Sequence, residues 1–482
     1  MVERDGPVIL AVDQGTSGTK AIVVDPVDGV LGVAEEVVRP TYLAGGGVEQ
    51  NPQQLLQSVL SAGRRAVAAA ERPIAAVSLA NQGETVLAWD RDTGRPLSQA
   101  IGWQDRRAET VTAELAADAG WVAERTGLVL DPYFSAPKMA WLRRHVTADG
   151  VVTTTDTWLI HQLCGEFVTD AATASRSLLA GLDTAQWDPD LLELFSWSDE
   201  ARPRIVDCDA EVGTTTAFGG QMAVAGLIVD QQAALLAEAC LDPGSAKCTF
   251  GTGAFLLANT GPGAVRSTAG LSSSVAWRAR DAVCYCLDGQ VYTAASAVRW
   301  MADLGLIDGP EDIDRRAARE SDGTLCVPAL AGLGAPWWRA DATAALTGMT
   351  LATRPGHVIL AVLQGIAAQV AEMSALMAGD LGLPLGRLRV DGGLTRCRTL
   401  MQCTADMLQV PVDVYPSAHA TALGAAALGR LALSPQLRIE QAVPAWTPTE
   451  TFEPRWSRDK SSDFMSRWRV AVGAALNGRT RP

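Results

Sequence analysis

Asp13-Gln14-Gly15-Thr16-Ser17-Gly18-Thr19-Lys20 puts a carboxylate, glycines, hydroxyls and one ammonium group into a single short turn. Glycines let a backbone approach a ligand closely, and turn N–H groups with hydroxyls beside them can hold a phosphate. A carboxylate there would repel phosphate unless a metal ion lay between them, so Asp13 reads either as a group facing a metal ion or as a plain turn cap. The whole stretch also has the composition of an ordinary polar hairpin turn. A second Gly/Thr turn, Gly251-Thr252-Gly253, lies in the other half of the chain. Glu84, Asp230 and Asp391 also sit at or just beyond the ends of apolar runs. Ligands of α/β sheets gather at such strand ends. His145, His161, His357 and His419 are isolated, so no histidine competes for general-base work.

Positioning these groups falls to the segments around them. Residues 8–12 and 21–24 are apolar and β-branched and read as buried strands flanking the first turn, with residues 32–38 as a third, antiparallel strand. Asn51 before Pro52 reads as an N-cap opening a helix, with Leu55, Leu56, Val59, Leu60 and Val67 on one face. A strand at 74–79 delivers Asn81-Gln82-Gly83-Glu84-Thr85. Residues 100–103 form another strand, and a helix is expected to run from Gln104-Asp105-Arg106-Arg107 to about Ala117. Residues 224–229 form a strand ending in Asp230-Gln231-Gln232, ahead of an Ala/Leu-rich helix. The second half repeats this plan. Residues 246–250, the Gly/Thr turn and residues 254–258 read as strand, turn, strand, and residues 388–390 end in Asp391-Gly392-Gly393. Further helices are expected at 295–304, 357–377, 398–408, 420–426 and beyond Arg455, the last with a frayed tail. The expectation is an α/β protein of two domains, 1–238 and 239–482.

Bulk properties narrow the function. A chain of 482 residues is too long for one ordinary core. Hydrophobic residues make up 48% and charged residues 20%, a globular composition. A net charge of −14 argues against nucleic acid and anionic membrane partners. No signal-peptide pattern and no run of 18 or more apolar residues is visible. The nine cysteines include no CxxC pair, and Cys284 and Cys286 read as alternating strand positions. Reduced core cysteines and a cytoplasmic location are expected.

The motifs, taken together, carry a resemblance. Ala11-Val12-Asp13-Gln14-Gly15-Thr16, Asn81-Gln82-x-Glu84-Thr85, Trp103-Gln104-x-Arg106-Arg107, Thr155-Asp156-Thr157-Trp158, Asp230-Gln231-Gln232, Gly251-Thr252-Gly253-x-Phe255, Gly332-Leu333-Gly334-Ala335-Pro336-x-Trp338 and Val390-Asp391-Gly392-Gly393 keep one family order along nearly the whole chain. They resemble the FGGY family of carbohydrate kinases, and within it the glycerol kinases most. The resemblance implies two RNase H-like domains of the actin, hexokinase and heat-shock ATPase type flanking a deep cleft. It implies ATP and Mg2+ as cofactors, a small polyol or sugar as substrate, and is compatible with a homodimer. It assigns Asp230 as the catalytic base and Asp13 to the metal. It places Gly83, Glu84, Trp103, Tyr133, Asp230, Gln231 and Phe255 around the acceptor. Thr16, Ser17, Lys20, Gly251, Thr252, Gly392, Gly393 and Cys397 fall on the nucleotide side. A helix N-cap remains the plain reading of Asp230.

Departures from the family pattern bear on the substrate. Glycerol kinases carry an arginine where this chain has Gly83. Losing such a charged hydrogen bond costs about 1.5–3 kcal/mol and vacates the volume of a long side chain. An acceptor longer than glycerol, such as a tetritol, is therefore expected, unless another basic group refills the gap. Val229 replaces a family glycine, Arg339 a family aspartate, and Cys397 an asparagine near the adenine, which puts nucleotide selectivity in question. A pentulose kinase of the same family is the alternative enzyme, and a non-catalytic sensor of ATP or polyol the alternative of another class. No G-x-G-x-x-G opens a βαβ unit at the N-terminus, which disfavours a dehydrogenase.

Overall fold

The computed structural model describes residues 6–477. Its apolar runs form the centres of two mixed sheets. In the first, Ile9–Gln14, Gly18–Asp25 and Gly29–Val37 make an antiparallel meander. Ala76–Asn81 pairs in parallel with Ile9–Gln14, Met222–Val229 pairs in parallel with Ala76–Asn81, and Glu211–Thr215 closes that edge antiparallel. The second sheet follows the same plan. Ala246–Phe250, Ala254–Gly261 and Ala282–Val291 are antiparallel, and Ser272–Ala279 lies beyond them. Leu388–Asp391 and Val412–Val414 add in parallel on the other side, and Glu450–Phe452 closes the edge.

Parallel register is what brings the chemistry together. Gln14 and Val229 both stand opposite Asn81, so Asp13, Gln82 and Asp230 leave one edge of the first sheet side by side. Thr249 stands opposite Asp391, so the Gly251 turn and Gly392 leave one edge of the second. Side strands must be covered on both faces to stay parallel and buried. Helix Pro52–Ala70 covers one face of the first sheet, with Leu55, Val59, Ala62 and Ala66 in a core with Leu10, Val12 and Val23. Its expected cap is present: Gln54 N–H donates to Asn51 Oδ1 at 3.2 Å.

Helix Ala420–Leu433, late in the chain, crosses back to cover the other face of this first sheet. Ala422, Ala425 and Ala426 pack with Ile9, Ala11 and Ile228. Only small residues allow so close an approach: a Cβ on Gly424 would collide with the Ala233 carbonyl, and one on Gly429 with Ser78 Oγ. The second half is built around the 27-residue helix Pro355–Leu381. It is long and apolar enough to cross a bilayer, but it lies in the core, with Ile359, Leu363, Ile366 and Val370 fully buried.

Two expectations need correction or limits. Gln104-Asp105-Arg106-Arg107 is a turn and not a helix start; the helix is Glu109–Glu114. Asp105 is fully buried and accepts from Val48 N–H at 2.7 Å and Arg107 N–H at 2.9 Å, and this local side-chain bonding displaces the helix. The terminal helix is Arg458–Asn477, and the expected frayed tail lies outside the described residues. Cys284 and Cys286 do alternate along one strand, and all nine cysteines are free.

Gly424→Val tests the helix contact. Rigid backbone faces the new side chain, so the loss belongs at or above the ~1–3 kcal/mol usual for overpacking. A melting temperature unchanged from wild type would contradict the packing described.

Candidate active site

Between the two sheet edges lies a cavity of about 150 Å³. That is well below the ~300–1,000 Å³ of pockets for drug-sized ligands and suits a small molecule. Thr16, Glu84 and Asp230 line it from the first half, and Thr252 and Phe255 from the second.

The hairpin turn and the aromatic wall are joined directly. Trp103 Nε1 donates to Thr16 Oγ1 at 2.8 Å, and Gln50 Nε2 donates to the Thr16 carbonyl at 2.8 Å. Trp103 meets Tyr133 and Phe255 edge-on, at 5.6 Å and 5.9 Å between ring centres. Trp338, from the second half, stands 6.4 Å from Tyr133 and donates to the Gly270 carbonyl at 2.7 Å. The turn that carries Tyr133 is drawn around a buried ammonium: Lys138 Nζ donates to the carbonyls of Pro132, Tyr133 and Phe134, at 2.8 Å, 2.5 Å and 2.6 Å. Apolar ring edges and carboxylates thus both line the cavity.

Asp230 is the first residue of helix Asp230–Ala237, and Val229 is its N-cap. The plain capping role is therefore not the one it plays. Its Oδ1 accepts from Gln231 N–H at 2.7 Å. Burial raises its carboxyl above the usual range, opposed by the Lys247 charge. Lys247 is fully buried and comes from the second half. Its Nζ donates to Gln231 Oε1 at 2.6 Å and Thr249 Oγ1 at 2.7 Å, tying the two halves at the site.

Gly83 itself does not line the cavity; it turns in the left-handed region at φ +66°. The space beside it is taken by Val229, whose Cγ2 would lie 2.9 Å from a Cβ at position 83. Gly83 and Val229, the two positions read from the sequence as departures from the resembled pattern, thus compete for one volume. A buried cation does stand beside Glu84. Arg176, at the C-terminus of helix Ala171–Ser175, lines the cavity and pairs with both Glu84 and Asp288. Burial still drives the Glu84 carboxyl up to about 7, with Arg176 pulling the other way.

From the two Gly/Thr turns, Ser17 and Thr252 are exposed and both line the cavity. Burial first, and Asp230 second, push the Asp13 carboxyl up to about 7, and Asp391 adds to the effect. Asp391 Oδ1 is buried without a partner. This excess of hard oxygen donors fits a divalent cation such as Mg2+. Among the described residues no group of three metal-ligating side chains forms, so the protein would supply few direct ligands and leave the rest to water and phosphate. Lys20 reaches the second half, donating to the Ala418 carbonyl at 3.1 Å, and pairs with Glu35 at 3.2 Å. Gly393 faces open space and a Cβ on Gly251 would make only an ordinary contact, whereas a Cβ on Gly392 would strike the Phe250 backbone, so packing explains Gly392. Cys397 is buried, outside the cavity lining, with Sγ 3.6 Å from Asp314 Oδ1.

The cavity therefore joins Thr16, Ser17, Glu84, Trp103, Tyr133, Asp230, Gln231, Thr252 and Phe255, and leaves Asp13, Lys20, Gly83, Gly251, Gly392, Gly393 and Cys397 outside its lining. Sequence reasoning missed Arg176, Lys247, Asp288 and Gln290. A charged residue inside an otherwise apolar or small-residue stretch was the one available signal for the first two.

Comparison with known proteins agrees with this geometry. The N-terminal domain of the FGGY family of carbohydrate kinases matches residues 8–237, and its C-terminal domain matches residues 246–433. Glycerol kinase of Bordetella parapertussis is 41% identical over 98% of both chains. Glycerol kinase of Alkalilimnicola ehrlichii is 42% identical over 97% of this chain and 98% of its own. The crystal structure of Plasmodium falciparum glycerol kinase with ADP superposes with a TM-score of 0.90 at 31% identity, covering 98% of this chain and 99% of that one. Two α/β domains of the actin-like ATPase type, matches to both family domains and full-length kinase relatives place this chain in the FGGY family of carbohydrate kinases, phosphotransferases with alcohol acceptors.

Proposed function

We propose that this enzyme transfers the γ-phosphate of ATP to a primary hydroxyl of a small polyol longer than glycerol, such as a tetritol. The observation that carries the reading is the meeting of Asp230 and Glu84 with hydroxyl-bearing turns from both sheets in one small cavity. Phosphoryl transfer needs positioning and charge neutralisation more than covalent chemistry. Glu84 accepts from acceptor hydroxyls. Gln231 has its carbonyl held by Lys247 and so offers its N–H2. The edges of Trp103, Tyr133 and Phe255 cover the carbon chain. Asp230, one oxygen engaged by Gln231 N–H, orients the attacking hydroxyl with the other and takes its proton late in the transfer. Thr16 Oγ1 accepts from Trp103, which leaves its hydrogen to donate to phosphate, and Ser17 and Thr252 act from either side. Asp13, with Asp391 behind it, would hold Mg2+, whose charge neutralises the phosphates.

Glycerol itself is the second reading, favoured by Arg176, which restores a cation beside Glu84. A pentulose acceptor is not favoured, since the relatives near 40% identity are named glycerol kinases. Free cysteines throughout fit a cytoplasmic enzyme.

Asp230→Asn lowers kcat by about 10²-fold or more while ATP affinity, read by calorimetry, stays near wild type. Near-normal ADP release would remove Asp230 as the base.

Asp13 gives a stability test with a definite sign. Its folded pKa is raised from 3.8 to about 7, so the folded state binds more protons between those values, and stability falls as pH rises through that window. Without nucleotide or metal, Asp13→Asn should melt a few degrees above wild type at pH 8, with the gain vanishing near pH 4, while turnover is lost. Equal melting temperatures at pH 8 would argue against the buried charge.

The exchange of volume predicts that Gly83→Arg alone clashes with Val229 and loses activity. Gly83→Arg with Val229→Gly should recover turnover and shift kcat/KM toward glycerol. Full activity of the single variant would show that the two positions are independent.

A further inference from the structure

The wall contributed by the second half holds polar groups that the reaction above leaves without a task. Asp288 and Gln290 lie two residues apart on strand Ala282–Val291 and so share a face. They stand opposite Leu257 and Phe255 of the neighbouring strand, and all four line the cavity. Asp288 is 5% and Gln290 2% exposed. Asp288 Oδ2 holds Arg176, but Asp288 Oδ1 is buried with no partner, and so is Gln290 Nε2. Buried polar atoms are nearly always paired, and an orphan donor beside an orphan acceptor calls for a group that is both. A hydroxyl is such a group. A methylene end would leave both atoms unsatisfied.

We propose that Asp288 and Gln290 form a hydroxyl subsite for the end of the acceptor remote from the transferred phosphate, engaging a hydroxyl beyond those of glycerol. The subsite rests on the polyol-kinase reading above and names what would recognise the longer chain. Arg176 is its positioning residue: it joins Asp288 of one half to Glu84 of the other, so the two ends of the acceptor are gripped by carboxylates sharing one guanidinium. The planar guanidinium, giving one N–H to each carboxylate, fixes the spacing between them. An acceptor of the right length then completes Oδ1 and Nε2 together.

The experiment compares kcat/KM, from ADP release, for glycerol, erythritol and threitol with wild type, Gln290→Leu and Gln290→Ala. Leucine keeps most of the side-chain volume and removes the amide, and alanine guards against strain from the branched chain. Wild type is expected to prefer a tetritol to glycerol. Both variants are expected to lose about tenfold or more in excess on the tetritol, the size of one hydrogen bond to a buried polar partner. Equal losses on both acceptors, or a wild type that prefers glycerol to both tetritols, would overturn the subsite and leave the kinase reading intact. Turnover of no polyol at all would overturn the kinase reading, and the subsite with it.

Discussion

Buried charge is the constraint on which the rest of this molecule depends. Glu84, Asp230 and Asp288 line one small cavity, and Asp13 and Asp391 stand close enough to act on its charge. Carboxylates in low dielectric are tenable only when paired. Arg176 bridges Glu84 and Asp288, and Lys247 sits against Asp230 and Asp391. Each cation links elements far apart in sequence. The architecture is therefore forced to bring both sheets to the same place, since either half alone would hold uncompensated charge.

That demand explains features that look unrelated to chemistry. The strands carrying the acids are short, apolar and parallel, which sends their ends to one edge. Parallel strands need both faces covered. On the first sheet one cover is helix Ala420–Leu433, from the far end of the chain, and its glycines let it approach the backbone below. The chain's return across the molecule is thus a structural tie between the halves, beside the ionic ties at the cavity.

The strands, the flanking helices and the paired Gly/Thr turns were legible in the sequence because each is written locally, as an apolar run, a cap or a turn. Asp13, Glu84 and Asp230 were legible because a carboxylate at the end of an apolar run is conspicuous. Arg176 was not, because it follows an Ala/Ser stretch and its partners are Glu84 and Asp288, contacts 92 and 112 residues away. Asp288 and Gln290 read as the polar face of a strand, and nothing local says that this face looks into a cavity. The Gln104 segment was misread because Asp105 bonds to Val48, which sequence spacing does not reveal. Gly83 was legible as a small residue after a strand end, but that Val229 stands 2.9 Å from where a side chain there would begin was not.

The same charge balance connects binding to motion. Water must leave the site before transfer, or ATP would be hydrolysed. Here the wall that excludes water is composite, with Trp103 and Tyr133 from one half and Phe255 and Trp338 from the other. Opening it means parting Arg176 from Asp288, Lys247 from Gln231 and Lys20 from the Ala418 carbonyl, polar contacts that water would have to replace. Closing it means burying Asp13 and its neighbours, which is unfavourable without a countercharge. On the reading proposed above, a bound metal ion would supply that countercharge, and an acceptor hydroxyl would satisfy the orphaned atoms of Asp288 and Gln290. Closure would then be favourable only with both substrates present, and the residues that make the empty site costly would be those that couple closure to the correct ligands.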